Sequence, residues 1–526
     1  MSAIARLEAV WEPDKARALR PAGDLLRVAV PPNALPDAAA GLIARGWDLV
    51  GLFGDRDGEG PGGDRLGDDL AVRYVWVAQD APWLVLDVDA AAAVPSIVSE
   101  AFGADWPERE AEDLFGVAFG GHPRLGDFVL HDEDWGEGLM PMRAGFEERL
   151  ARARPAGESY LPTRILDASG GFLMPVGPVF SGEQEAMQVL VETVGEEIIH
   201  AHVRLFYKFR AVERTMQGRP PEDALLLAER VNGTQAFAHA LAFCRAVEAL
   251  AAVEVSPRAE ALRAVVAEHE RVRAHVRALS GLVESTGLAV PRTLLDACQE
   301  GLLRAAGVLA GHRYLFGLCR PGGLRVDLTD AAVVDFARAT RTEADRAAAI
   351  CEGLAADSTF LDRLEAVGVL TAAGARALGL VGPIARAAAL DGDLRRVTPY
   401  GAYRRAPVAA VLESEGDCSA RFRVWRREME ASATLVSALA PALPAGPALV
   451  PVEATAGTAV GGVEAPSGRL VYWLELGADG LVARCHIMTP GLANYHALSD
   501  ALRDFSFQDL PIILASLGLS VADADR

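Results

Sequence analysis

The chain carries six cysteines, Cys244, Cys298, Cys319, Cys351, Cys418 and Cys485, none in a CxxC pair and none at a spacing to a histidine that would build a zinc or cluster site. Zinc and cluster sites need grouped thiolates or imidazoles, so this scatter reads as buried free thiols. The histidines are no better grouped. His239 shares its stretch with Phe237, Leu241 and Phe243, and His269 lies on the apolar stripe Leu262, Val265, Val266, Val272, Val276 and Leu279; both read as satisfied interior residues. His200 and His202, two apart on an expected helix, would point in different directions and not chelate one ion. Gly177 and Gly182 bracket a turn outside any GxGxxG context, so they carry no nucleotide signal. Two polar groupings remain. Glu268, Arg271 and His275 read as a polar packing network between helices, and Glu183 and Glu185 flank Gln184 where solvated acids suit the dipole of a helix start.

Two kinds of element must position these groups. Between about Leu25 and Glu100 the short runs LLRVAV, DLVGLF, AVRYVWVA and WLVLDV alternate with turn-rich pieces such as Gly54–Asp69, which predicts the strands of an α/β domain. Beyond Glu185 the period changes. Met187, Leu190, Val191, Val194 and Ile198 fall at helical spacing and predict the first helix of a long, mostly helical part. Further helices are predicted near 222–251, 257–282, 291–316, 329–354, 358–366 and 417–440, rich in Ala, Leu, Arg and Glu. Leu470–Leu476 and Leu481–Met488, joined by Gly-Ala-Asp-Gly, predict a late hairpin. A linker is expected near 152–159, dividing the chain into domains 1–150 and 160–526.

At 526 residues, 51% apolar and 23% charged, the chain has ample core-forming material. Its net charge of −21 repels phosphate backbones, so nucleic acid is not an expected partner. The uncharged stretch Ala431–Val452 is long enough to span a bilayer but is broken by Pro441, Pro444, Pro447 and Pro451. The N-terminus meets charge before any signal-like apolar run forms, which predicts a cytoplasmic location.

The segment Trp106–Trp135, WPEREAEDLFGVAFGGHPRLGDFVLHDEDW, resembles the signature of the 30-kDa-type subunit of respiratory complex I. From about Tyr160 onward the chain resembles the 49-kDa-type subunit and the large subunit of membrane-bound energy-converting [NiFe] hydrogenases, including those of formate hydrogenlyase complexes. MPVGPVFSGEQE, FYKFRAVERTM, ERVNGTQAFAHALAFCRAVE, LGLVGPIARA, EAPSGRLVYW and FQDLPIILASLGLSVADADR carry that second likeness. The resemblance implies an α+β fold, with a complex I 30-kDa-like α/β domain followed by a large, mainly helical hydrogenase-like domain. In the N-terminal motif, Glu110, Asp113, His122, Pro123 and Trp135 read as a structural and docking signature.

The resemblance also implies a pocket. Family members hold nickel and iron on two CxxC pairs, whose positions here are Asn232 and Gln235 in RVNGTQ and Ser520 and Asp523 in SLGLSVADADR. Amide and hydroxyl oxygens are hard, weak donors that cannot replace soft thiolates, so a [NiFe] centre and intrinsic hydrogenase activity are not expected; Asp523 alone suits a hard cation. Where relatives use two histidines and a tyrosine for quinone, this chain has Phe180, Gln184 and Gly233. Gln184, Asn232, Gln235 and Ser520 are left as neutral donors. Glu183 and Glu185 are candidates for a proton path, and Arg230 is expected to pair with Asp523 or Asp525 and close the pocket.

The expected function is therefore a large subunit of a complex I-like oxidoreductase that binds no cofactor of its own. It would pass electrons from the iron–sulfur clusters of a small partner subunit to quinone or another acceptor, with NADH handled elsewhere. Membrane-arm subunits of the antiporter-like type would hold it peripherally on the inner face of the cell membrane. The alternative is a non-catalytic scaffold between the same partners.

Overall fold

A computed structural model of the chain describes residues 17–18, 25–56, 70–136, 138–143, 146, 160–162, 164–165, 170–180 and 185–526. The expected linker at 152–159, most of the Gly/Asp-rich loop, and Gly182, Glu183 and Gln184 lie outside the described residues.

The N-terminal part is a five-stranded sheet of β1 (Arg17–Ala18), β2 (Leu25–Ala29), β3 (Asp48–Arg56), β4 (Leu70–Val77) and β5 (Trp83–Asp89), in the order β1-β2-β5-β4-β3. Only β2 and β5 run parallel; the chain between β2 and β3 forms α1 (Leu35–Ile43). The four apolar runs of the sequence thus become the four long strands. β4 is buried on both faces, which explains its nearly continuous hydrophobic pattern. Helix α2 (Asp105–Phe115) carries the acidic signature and ends on Gly116, whose φ of +69° suits a glycine cap.

The next elements differ from the expected helix. β6 (Gly171–Val176), β7 (Gln188–Val194) and β8 (Glu197–Arg204) form an antiparallel sheet, with Gly195 and Glu196 as a two-residue turn. Met187, Leu190, Val191, Val194 and Ile198 therefore lie on or beside a hairpin. Most of β7 is buried on both faces, so an alternating pattern never formed. The decisive signal was chemical: Val189, Val191, Thr193, Val194, Ile198 and Ile199 are β-branched and fit a pleated sheet better than a helix. His200 and His202 consequently share a strand face, with ring centroids 4.6 Å apart.

The larger C-terminal part is mainly helical, so the chain has the mixed α and β architecture that was expected. Four long helices, α4 (Pro257–Ser285), α5 (Ala289–Ala310), α6 (Asp330–Ala355) and α7 (Cys418–Leu439), pack as a bundle, each against the next and α7 back on α4. Their starts are encoded locally: the side chains of Ser256, Thr329 and Asp417 accept hydrogen bonds from the backbone of the first turn of α4, α6 and α7. Helix α3 (Ala236–Leu250) lies against a second antiparallel sheet, β9 (Gly457–Ala465), β10 (Gly468–Leu476) and β11 (Val482–Met488). At Gly461 that approach is so close that an added Cβ would meet the Ala242 carbonyl oxygen at 2.1 Å. Among the described residues, no helix is long and apolar enough to cross a membrane.

Candidate functional site

The single helix expected over 222–251 is two helices, Pro221–Ala228 and α3, and the break between them carries the candidate residues. Asn232 caps the short turn Gly233–Gln235, its side-chain oxygen accepting from the Thr234 N–H at 3.1 Å and from the Thr234 hydroxyl at 2.7 Å. Its amide is then free to turn toward the C-terminal segment. There the Asn232 Nδ2 donates to Asp523 Oδ1 at 2.8 Å, although 291 residues separate the two.

The other Asp523 oxygen accepts the Gly491 N–H at 3.2 Å, and a Cβ on Gly491 would lie 2.4 Å from the Asp523 Cβ. Glycine at 491 is thus what lets the carboxylate approach. Burial pushes Asp523 up to about 6, against the lowering effect of the Asn232 hydrogen bond, and pushes Asp525 up to about 7. The Gln235 oxygen accepts from the Ser467 hydroxyl at 2.8 Å. Ser520 donates to Glu185 at 3.1 Å, and the same Glu185 oxygen accepts the Ala522 N–H at 2.9 Å. Glu185 is therefore an exposed clamp on the C-terminal turn. Phe180 is half-buried against the apolar core, and Gly233 faces Phe316.

Arg230 does not pair with Asp523 or Asp525. It is 54% exposed, contacts Glu229 at 3.7 Å, donates to the Leu226 carbonyl at 2.6 Å and lies over the Phe316 ring. The stapling role belongs to Arg210, whose guanidinium donates to the carbonyls of Arg230 (2.8 Å), Val231 (2.8 Å), Ala522 (2.7 Å) and Asp525 (2.7 Å). A planar five-donor fork is suited to binding two chain segments at once. Arg210, Ser467 and Gly491 escaped the sequence reading; Arg210 and Ser467 lie in segments that carried the resemblance, but nothing in their type marked them.

The N-terminal signature reaches this site through the C-terminal residue. Glu110 accepts from Arg526 Nη2 at 2.8 and 2.9 Å, and the Arg526 Nε donates to Glu213 at 3.1 Å. Glu213 in turn holds the His486 ring at 3.0 Å. The motif's acid thus anchors the segment that presents Asp523. Asp113 and Trp135 serve local structure, Asp113 accepting the N–H groups of Val129 and Leu130 and the Trp135 indole donating to the Leu139 carbonyl.

Two other histidines are interior: His239 Nδ1 lies 2.8 Å from the Tyr472 hydroxyl, and His269 Nδ1 lies 2.8 Å from the Thr340 hydroxyl. Burial pushes both down to about 3.

As a metal site the donor set is a poor fit. The Asn232 and Gln235 oxygens are already occupied by hydroxyl or N–H donors, Asp523 supplies the only carboxylate at the four positions, and no thiolate is present. Low-valent nickel and its iron partner require soft sulfur ligands, so these residues do not suit them.

Comparison with known proteins agrees with this architecture. Residues 28–150 match the family described as respiratory-chain NADH dehydrogenase, 30 Kd subunit, and residues 291–456 and 449–526 match the corresponding 49 Kd subunit. Residues 210–279, which hold Arg210, Asn232 and Gln235, match the nickel-dependent hydrogenase family. The chain is 28% identical over 515 residues to formate hydrogenlyase subunit 5 of Escherichia coli (strain K12), covering 96% of this chain and 89% of the relative. It is 28% identical over 505 residues to hydrogenase-4 component G of the same organism, covering 94% and 87%. It is 31% identical over 361 residues to one of the NADH-quinone oxidoreductase subunits of Salinispora tropica, covering 67% of this chain and 93% of that one.

These matches define a subunit of a complex I-like, hydrogenase-related oxidoreductase complex. Within that class, the chain belongs to the family of the 49-kDa-type subunit of respiratory NADH dehydrogenase, with a match to the 30-kDa-type subunit preceding it in the same polypeptide.

Proposed function

We propose that this chain is the large subunit of a membrane-associated complex, in which it receives electrons from the iron–sulfur clusters of a small partner subunit. It passes them to quinone or another small acceptor without a [NiFe] centre of its own. The observation that carries this reading is the Asn232–Asp523 hydrogen bond, which joins two segments at the positions where relatives place thiolates and fills them with an amide and a carboxyl. The second N–H of the Asn232 amide, and an Asp523 acid poised near 6, suit hydrogen bonding and proton supply to a carbonyl acceptor better than metal ligation. Antiporter-like membrane-arm subunits complete the assembly and hold the chain peripherally on the inner face of the membrane.

The test is reduction of menaquinone and ubiquinone analogues by the purified complex with a chemical electron donor. Turnover that falls at least tenfold in Asn232→Ala and Asp523→Ala supports the reading; absence of turnover with every acceptor contradicts it. A scaffold without chemistry is the second reading, favoured by the way the pocket residues bond to one another and their neighbours. It requires that the same variants leave assembly and activity of the whole complex unchanged.

A further inference from the structure

Asp523 depends on the Gly491 N–H, so whatever fixes Gly491 also fixes the acid. Gly491 belongs to the five-residue helix Pro490–Asn494, entered from Thr489, whose hydroxyl donates to the Asp523 carbonyl at 2.6 Å. So short a helix does not hold itself, and its position is set from outside. At its far end stands Asn494, 2% exposed. The Asn494 Oδ1 accepts the Val381 N–H at 2.9 Å, and its Nδ2 donates to the Val381 carbonyl at 3.2 Å. A buried amide that meets both backbone groups of one residue copies the pairing of a strand edge, and truncating it would leave both groups unpaired.

Val381 is itself fixed. Its neighbour Gly382 has a φ of +68° and packs so tightly on the turn between β9 and β10 that an added Cβ would lie 2.1 Å from the Ser467 carbonyl oxygen. Where α4 and α7 pass the end of β9, a buried ion-pair web holds that turn. Arg271 donates to the carbonyls of Glu464 and Ala465 at 2.6 and 2.9 Å, and Arg386 joins Glu464, at 2.8 Å, to Glu428. Glu268 accepts from Arg271 at 3.2 Å and from Arg395 at 3.0 Å, and Arg395 holds Asp393 at 2.6 Å. The turn so fixed presents Ser467 to Gln235. Through Val381 and Gly382, Asn494 therefore sets the helix that serves Asp523 in the same frame as the turn that serves Gln235.

We propose that Asn494 is a positioning residue for the Asp523 acid: by clamping Val381 it fixes the helix 490–494 and holds the Gly491 N–H on Asp523 Oδ2. This role rests on the reading of Asp523 as a proton donor to a carbonyl acceptor, and it gives Asn494 no contact with that acceptor. The charged groups acting on Asp523 are Glu185 and Arg210, and the phenols of Tyr472 and Tyr495 lie within its electrostatic range. None of these four is a hydrogen-bond partner of Asn494, whose amide is spent on Val381. Losing the clamp withdraws the Gly491 donor from the ionised carboxylate, so Asp523 should keep its proton to higher pH.

Infrared titration of the full chain through the protonated-carboxyl stretch tests this without turnover, the Asp523 band being assigned by its loss in Asp523→Asn. The wild-type band should disappear through about pH 6. Asn494→Ala should raise that midpoint by roughly half to one pH unit, the size of one hydrogen bond. Ser467→Ala removes a hydrogen bond from the neighbouring turn without touching Asn494 and should leave the midpoint in place, which separates lost positioning from general loosening. An unchanged midpoint in folded Asn494→Ala overturns the assignment, as does an equal shift in Ser467→Ala. Where Asn494→Ala does not fold, hydrogen exchange of the wild-type chain decides. Opening of 381–382, 489–495 and 520–525 as one unit supports the clamp, and opening of 489–495 while 520–525 stays protected overturns it. Because neither measurement needs an acceptor, a failed quinone assay strikes the redox reading alone.

Discussion

Around Arg386 and Arg395 the chain keeps many charges buried and partnered, whereas around Asp523 it keeps a buried carboxyl met by the Asn232 amide and a backbone N–H. The first region is held by attraction between full charges in a low-dielectric interior. The second is held by neutral hydrogen bonds, each contributing roughly 0.5–1.5 kcal/mol, and by a guanidinium that binds backbone carbonyls. The contrast separates two demands on one fold. The web fixes α4 and α7 against β9, so removing a single member leaves other charges stranded. The contact between Asn232 and Asp523 holds no such network of paired charges, and its side chains can change at lower cost.

Arg386→Met should therefore have the largest effect, because it strands Glu428 and Glu464 together. A loss of about 3–5 kcal/mol is expected from breaking a buried ion pair, read as a lower urea midpoint. Arg526→Gln should cost about 3 kcal/mol on the same grounds, since Glu110 and Glu213 lose their shared partner. It should also expose the seam between α2 and the C-terminal segment to hydrogen exchange. Similar midpoints for Arg386→Met and wild type would erase the contrast between the two regions.

At the pocket, Gly491→Ala should cost about 1–3 kcal/mol through overpacking against Asp523, checked by thermal unfolding. Asp523→Asn refines the electrostatic contrast. Asp523 titrates near 6 in the folded chain, above the ordinary 3.8, so the native state binds its proton more tightly than the unfolded state. Its contribution to stability is full below the ordinary value and is lost as pH rises through about 6, with a slope of up to about 1.4 kcal/mol per pH unit. Relative to wild type, Asp523→Asn should flatten the stability profile between pH 4 and 6. Ser467→Ala should be smallest, at about 1 kcal/mol for one lost hydrogen bond to Gln235.

The sequence made some of this contrast legible. The strands of the first sheet and the bundle helices announced themselves through apolar runs and helix formers. The hairpin at 188–204 did not, because both faces of β7 are buried and its apolar spacing fell by coincidence on a helical period. Glu268, Arg271 and His275 were readable as a packing network because they follow the E-x-x-R-x-x-x-H pattern of the family the chain resembles, but Arg386, Asp393, Arg395 and Glu464 join it only through tertiary folding. Asn232 and Asp523 were paired through family motifs. The stapling arginine was misassigned because the distances from Arg210 and Arg230 to the C-terminal segment are set by folding rather than by sequence.

Whether the pocket has given up its metals is decided by the nickel and iron content of the chain isolated within its assembled complex, measured by elemental analysis after removal of loosely bound metal. We predict no nickel above background, with iron accounted for by the clusters of partner subunits. One nickel per chain would overturn this picture, because it would mean that Asn232, Gln235, Ser520 and Asp523 hold a metal their chemistry does not favour.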